Sequence, residues 1–422
     1  MEDLSVNDQT KTSDQTRGEF SYLDVAPEDP IFGLKRKVAE DTTSLKVDMG
    51  LGAYMDETGK QPVWKAVRMA EDRIVGEKLD KDYLSLLGNE EYIRLSQELI
   101  FGADHPKYLQ KAIATGQTIS GTGALRLAGE FLKLALRGER EFYLPKETWP
   151  NHNTIFRRAG WDCKAFPYYD HSIQGIAFEQ VLDAMRNAAT GAVFLFHACS
   201  MNPTATDPTT EQWDAIADVA KENGIFILID CAYLGWASGS MDQDAYGIRT
   251  LASKGVEIVV CQSYSKNLAI YGERAGAIHI VCNSNDDTEK VKSLLRSVIR
   301  PLWSNCPLHG TRIVLKVLGD SELRRIWLEE FQKGCQRLVD VRKELHGFLV
   351  NDLKTPGKWD FILKQQGYFI FTDFTREECL YMEETHHIYN LKTGRFSLCG
   401  VNPSNIKRVA EVFDEVTRQR KQ

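Results

Sequence analysis

No C-x-x-C pair, no apolar run of the ~18 residues a membrane-crossing helix needs and no block of positive charge occur in these 422 residues. Lysine and arginine number 52 against 59 aspartate and glutamate, a formal net charge of −7. That balance favours solubility and gives no basis for binding nucleic acid or an anionic membrane. The nine cysteines are odd in number, and several sit beside apolar runs, as in Val-Val-Cys261. They read as small buried side chains in a reducing compartment, not as a disulfide framework. The opening MEDLSVNDQTKTSDQTRGE lacks the apolar core of a signal peptide. It is acidic rather than arginine-rich, unlike a mitochondrial presequence, so a cytoplasmic location is expected. A G-x-G-x-x-G dinucleotide fingerprint is also missing, because Arg126 stands where Ser120-Gly121-Thr122-Gly123-Ala124 would need its third glycine. There is no G-x-x-x-x-G-K-[ST] loop, which removes the usual signature of a nucleotide-phosphate site.

What is present is ordinary globular composition, 43% hydrophobic and 26% charged, in a chain long enough to bury a large core. At roughly 150 residues per domain the length suggests two or three units. Residues 1–18 read as a loose polar arm, and PEDPIFGLKRKVAED as a capped short helix. From about 60 to 329, short branched or aromatic runs alternate with helical periods. The runs are EFYLP (141–145), AVFLF (192–196), IFILI (225–229), VEIVV (256–260) and AGAIHIV (275–281). Each is bounded by Gly, Pro or Asp, as buried strands are. TTEQWDAIADVAKENG has a threonine cap and a Gly224 stop. The alternation predicts an α/β fold with a largely parallel sheet covered on both faces. From 330 the texture changes to a long helical pattern, the short strands GYFIFTDF and GRFSLCGV, and a last helix. This predicts a smaller α+β unit from 330–422, with 19–59 packed against it.

Ligands of open parallel sheets bind beyond the strands' carboxyl ends. Four consecutive strand ends here carry polar groups: Trp149 and His152; His197 and Asn202; Asp230 and Tyr233; Ser263, Lys266 and Arg274. Upstream, Ser120-Gly121-Thr122 opens a helix, where free N–H groups either form a plain cap or bind an anion. Pyridoxal phosphate needs this inventory: a lysine for the Schiff base, a carboxylate for the pyridinium nitrogen and a phosphate cradle. It also uses donors to its phenolic oxygen and a ring stacked on its face.

The strings SGTGAL, WPNHN, NPTATDPT, DCAYLGWASG, SYSKNLAIYGERAG, RPLWSNCPLHGTRIV and GRFSLCGV, with VDMGLGAYMDETGK before them, resemble the fold-type I aspartate aminotransferases, in the family order. The resemblance spans roughly residues 20–415. It implies a large pyridoxal-phosphate-binding domain with a mostly parallel seven-stranded sheet and a homodimer with shared active sites. By this resemblance Lys266 is the Schiff-base lysine and proton carrier, and Asp230 the partner of the ring nitrogen. Tyr233 and Asn202 are donors to the phenolic oxygen. Arg274, Ser263, Ser120, Gly121 and Thr122 hold the phosphate, Trp149 stacks on the ring, and His152 orients Asp230. Tyr83 reaches the neighbouring subunit's phosphate. Arg395 clamps the substrate α-carboxylate near Gly52, and Arg300, from the partner chain, binds a distal carboxylate. No metal is implied. The substrates implied are amino acids and 2-oxo acids: aspartate with 2-oxoglutarate, or, in the alternative, aromatic amino acids handled by the same subgroup.

Four places depart from the family pattern. Met201 replaces the histidine usual before Asn-Pro-Thr, and Ala205 the glycine usual after it. Met55 replaces a basic residue, and Leu86-Leu87-Gly88-Asn89 differs from the usual string after Tyr83. None removes a bond-making group. An alanine at 205 is expected to be strained if its φ is positive.

Overall fold

The computed structural model describes Gly18 and residues 20–420. The expected arm at 1–18 therefore lies, apart from Gly18, outside the described residues. Seven strands form the main sheet: β1 (Ile113–Ile119), β2 (Phe142–Pro145), β3 (Cys163–Phe166), β4 (Val193–His197), β5 (Phe226–Cys231), β6 (Ile258–Ser263) and β7 (Ala275–Val281). Their order is β1-β7-β6-β5-β4-β2-β3. All neighbours run parallel except β7, which is antiparallel to both β1 and β6. The five apolar runs read from the sequence are all strands. Two more, β1 and β3, frame the sheet.

Side chains alternate across each strand, and the core divides accordingly. Phe194, Phe196, Ile227, Ile229, Ile258 and Val260 face one layer. Val193, Leu195, Leu228, Val259, Ile278 and Ile280 face the other. The second layer is closed by the helix Ser120–Ala135, through Leu125, Leu127, Ala128, Phe131 and Leu132, and by Leu295, Val298 and Ile299 of the helix Asn285–Leu302. On the first face, Trp213, Ile216 and Ala217 of Thr210–Asn223 belong to the core. That helix has the expected ends: a Thr209–Gln212 capping box, and Gly224 in the left-handed region at φ +64°.

The helix expected near Pro27 runs Pro30–Glu40, its first N–H groups capped by Asp29. Beyond it, Val47–Asp48 pairs in parallel with Ile388–Tyr389. Phe369–Phe371 pairs antiparallel with Arg395–Ser397, and the last helix, Ile406–Gln419, packs Phe413 on Phe374 and Phe396. The long helix runs Ser321–Gly347 and then widens into a single π-helical turn, Phe348–Asp352. No described helix is long and apolar enough to cross a membrane.

Candidate active site

The carboxyl ends of β4, β5 and β6 and the start of β7 converge on one edge of the sheet. In register, His197, Asp230 and Cys261 lie side by side. Asp230 is buried. Its Oδ2 accepts from His152 Nε2 at 3.1 Å, and Thr148 Oγ1 lies 2.8 Å from His152 Nδ1. His197 packs edge-on to His152, ring centres 5.4 Å apart. Burial alone raises the Asp230 carboxyl, but the His152 hydrogen bond and the nearby His197 and Lys266 outweigh it and hold it below the usual range. Burial holds His197 down at about 4, so it is a neutral imidazole near pH 7. Oδ1 of Asp230 has no partner among the described residues. A buried carboxylate oxygen in that state is costly unless a donor arrives. Ligand atoms of His152, His197 and Asp230 come within 4.8 Å of one another, yet His152 already spends both nitrogens on Thr148 and Asp230.

A second cluster lies where β1 turns into the helix Ser120–Ala135. Ser120 Oγ is 2.9 Å from Ser263 Oγ and 2.8 Å from Ser265 Oγ. Arg274 Nη1 donates to Ser265 Oγ at 3.3 Å and to the Tyr271 carbonyl at 2.9 Å. No side chain caps the helix start, which leaves its N–H groups and positive end for an anion. A Cβ on Gly121 would stand 3.1 Å from Ser263 Cβ, so that position is tight. Ser120 and Arg274 both hold left-handed backbone, φ +63° and +54°, a strain that functional sites retain.

Lys266 lies between the clusters. Its Nζ is 5.0 Å from the centre of the Tyr233 ring. Burial lowers its ammonium pKa; Asp230 opposes this and Arg274 adds to it. Tyr233 is buried, and burial pushes its hydroxyl well above the usual range. A Cβ on Gly52 would come within 3.1 Å of the Tyr233 hydroxyl and 3.3 Å of the Phe369 ring, so a side chain there would crowd the site. Arg395 is only 2% exposed. It lies 4.2 Å from the centre of the Phe369 ring, donates to Asn202 Oδ1 at 3.0 Å and bonds the Gly50 carbonyl, while its Nε has no partner among the described residues. Burial lowers its pKa to about 10.

Across residues 44–413 the sequence matches the family described as aminotransferase class I and II. The chain belongs to the class I and II aminotransferases. It is 40% identical over 395 residues to a cytoplasmic aspartate aminotransferase of Oryza sativa subsp. japonica, covering 93% of this chain and 97% of that one. It is 40% identical over 407 residues to aspartate aminotransferase 3, chloroplastic, of Arabidopsis thaliana, covering 96% and 90%. Among solved structures, an aromatic-amino-acid aminotransferase from Burkholderia pseudomallei, described as covalently bound to pyridoxal phosphate, superposes with a TM-score of 0.92 at 34% identity, covering 95% of this chain and all of that one.

The site fits the cofactor of such an aminotransferase on three local observations. The Asp230 oxygen is buried without a donor, the helix start is uncapped, and hydroxyls and a guanidinium surround that start. Trp149 is half-buried and edges onto His152, 5.3 Å between ring centres. Tyr83 and Arg300 are not brought to this site within one chain. Tyr83 is 87% exposed, and Arg300 lies exposed in the last turn of Asn285–Leu302, bonded to Ser304 Oγ at 2.6 Å. Three participants escaped the sequence reading as assigned groups: Ser265, Thr148 and His197. Ser265 shows as the second serine of S-Y-S-K, in the turn just past Ser263, whose Oγ accepts from Ser265 N at 3.1 Å. His197 shows as a polar strand-end residue, but its place beside Asp230 shows only once β4 and β5 are set in register. As for the departures, Met201 is buried, and Ala205 does hold φ +53°. Its carbonyl accepts from Gln366 N at 2.7 Å.

Proposed function

We propose that this aminotransferase is an aspartate aminotransferase, moving the amino group of L-aspartate to 2-oxoglutarate and giving oxaloacetate and L-glutamate in a reversible ping-pong cycle. It acts as a cytoplasmic homodimer whose large domain spans 60–329 and whose small domain joins 19–59 to 330–422. Arg395 carries this reading. A buried guanidinium bonded to an amide and a carbonyl, with Nε unpaired, is costly unless an anion completes it. A substrate α-carboxylate does so through charge-assisted bonds.

Pyridoxal phosphate, when bound, supplies the electron sink that makes the substrate Cα–H acidic. Lys266 would bond its aldehyde, and Ser120, Gly121, Thr122, Ser263, Ser265 and Arg274 would hold its phosphate. Asp230 Oδ1 would keep a proton on the ring nitrogen, and the Thr148–His152 chain fixes that carboxylate's direction. Tyr233 and the Asn202 amide would donate to the phenolic oxygen, and Trp149 would supply the ring to stack on the cofactor's face. The lowered pKa of Lys266 suits it to take the proton from Cα at Nζ and return it.

Tyr83 and Arg300 complete the partner's site. Exposed Phe20, Tyr22, Leu23 and Val25 add apolar surface suited to an interface. The test is spectral and kinetic. Purified protein should be yellow, its visible absorption should change on adding L-aspartate, and kcat/KM should be higher for aspartate than for phenylalanine. An aromatic-amino-acid aminotransferase is the second reading, favoured by the likeness to the enzyme of that name from Burkholderia pseudomallei. A higher kcat/KM for phenylalanine would establish it instead.

A further inference from the structure

Lys266 lies just past β6 in a turn that belongs to neither helix nor sheet. Little backbone bonding holds that turn. Leu268 N donates to the Tyr264 carbonyl at 3.2 Å and Ala269 N to the Lys266 carbonyl at 3.3 Å, with Ala269 at φ +53°. The carbonyl of Asn267, the next residue, is held differently. It accepts from two indoles, Trp64 Nε1 at 3.1 Å and Trp327 Nε1 at 2.8 Å. All three residues are buried. The Asn267 side chain adds nothing to the hold, since neither Oδ1 nor Nδ2 has a partner among the described residues.

The two indoles come from one support. Trp64 stands at the start of the helix Lys65–Gly76. The first N–H groups of that helix, Lys65 and Ala66, donate to the Glu330 carboxylate at 3.1 and 3.4 Å. Glu330 and Trp327 are three residues apart on Ser321–Gly347, which puts them on one face. That helix therefore delivers one indole itself and holds the helix start that delivers the other.

We infer that Trp64 and Trp327 are positioning residues for Lys266: their N–H groups saturate the two lone pairs of the adjoining carbonyl and so aim Nζ at the reacting atoms. The inference rests on the reading of Lys266 given above. A displacement of an ångström at a reacting group costs on the order of 100-fold in rate. The carbonyl can use two donors, and a turn without a ladder of its own needs them.

The experiment uses holoenzyme of Trp64→Phe, Trp327→Phe and the double variant, which keep a ring and lose the N–H. Borohydride reduction and peptide mapping of wild type come first. A label away from Lys266 overturns both the functional reading and this inference, while a label on Lys266 secures the reading and leaves the positioning role to the variants. Each single variant should lower kcat on aspartate about two- to tenfold, the range one hydrogen bond of ~0.5–1.5 kcal/mol converts to, with KM nearly unchanged. The pH midpoint of the bound cofactor's visible absorption should shift in both. The double variant should lose more than the product of the singles, since it leaves the carbonyl with no donor. Wild-type kcat and an unmoved midpoint in both singles, whatever happens to Tm, would overturn the inference. Should Trp327→Phe fail to fold, Glu330→Gln serves beside Trp64→Phe. It loosens the Trp64 helix without touching an indole and should lower kcat about twofold. Unchanged kcat in both would equally overturn it.

Discussion

The two ends of the site are built differently. On the cofactor side, groups from several segments meet within one chain: Asp230 on His152, His152 on Thr148, Ser120 on Ser263 and Ser265, and Arg274 on Ser265. On the substrate side Arg395 meets the Asn202 amide and the Gly50 carbonyl and lies over the Phe369 ring. Tyr83 and Arg300 point outward from a loop and a helix end. A sheet edge is closed by the chain's own strand pairing, so the first half forms with the fold. The exposed Arg300 and Tyr83 lie away from this site in their own chain, and in the proposed dimer they would complete the neighbouring site, Arg300 at the substrate and Tyr83 at the phosphate. Loss of cofactor chemistry and loss of substrate choice should therefore be separable by mutation.

The largest expected effect is on the cofactor side. Lys266→Ala should lower turnover by on the order of 10⁴-fold, since it removes the group assigned to carry the proton, and should abolish borohydride labelling. Near-normal turnover would break the assignment. Asp230→Ala should follow at about 10²–10³-fold, the scale of removing one preorganised electrostatic partner. Asp230→Glu should cost less, because the charge survives. A measured primary isotope effect on α-proton loss, larger in Asp230→Ala than in wild type, would tie the deficit to that step.

On the substrate side the expected loss is selective. Truncating one member of a buried charge pair costs about 2–5 kcal/mol, on the order of thirty- to several-thousand-fold. Arg300→Ala should lose that on aspartate and far less on phenylalanine, so the ratio of the two kcat/KM values is the quantity to measure. An unchanged ratio would remove Arg300 from substrate choice. Mixing Lys266→Ala chains with Arg300→Ala chains should restore activity, since both lesions then fall in one of the two sites. Persistent inactivity after demonstrated subunit exchange would show instead that each chain completes its own site.

How much of this could be read in the sequence follows the same division. The β4, β5 and β6 runs are continuous and apolar because both faces of those strands are covered, and such runs are visible without a structure. β1 was not, because its sequence is IATGQTI. Its polar side chains are buried and largely paired, Thr115 with Gln97 and His279 and the Gln117 amide nitrogen with Thr311, while Gln117 Oε1 has no partner among the described residues, so burial left no hydrophobic signal. β3, at the sheet edge and partly exposed, has no strong pattern either. Among site residues, Asp230 and Lys266 were legible from strand ends and local strings. His197 stood at a strand end but with no assigned role, and Thr148 went unmarked, because each matters only through a neighbour in space. The Asn267 carbonyl was invisible in principle, since a backbone atom leaves no mark on residue identity.

The smallest expected effect compares the two sides through pH rather than rate. His197 on the cofactor side is held by burial at about 4, below its ordinary 6.5. As pH falls between those values the unfolded chain takes up that proton first, so stability is lost there. Asp207 sits beside the substrate-side loop, its carboxylate accepting from Ser200 N at 2.6 Å and Met201 N at 2.9 Å. Burial nevertheless pushes it up to about 6 from 3.8. As pH falls through that window the folded state takes up the proton first, so stability is gained. The two slopes oppose each other, and wild type should be nearly flat in respect of this pair. His197→Gln should remove the acid-side loss and become relatively more stable from pH 6.5 to 4. Asp207→Asn should remove the gain and decline more steeply from 6 to 4. Each difference is at most on the order of 3 kcal/mol across its window. His279, held at about 3 by burial, contributes the same background to all three proteins. Urea midpoints at pH 7, 6, 5 and 4 measure the slopes independently of any constant offset from the substitutions. Three parallel curves would mean that neither group titrates differently on folding, and the two sides of the site would then not differ in this respect.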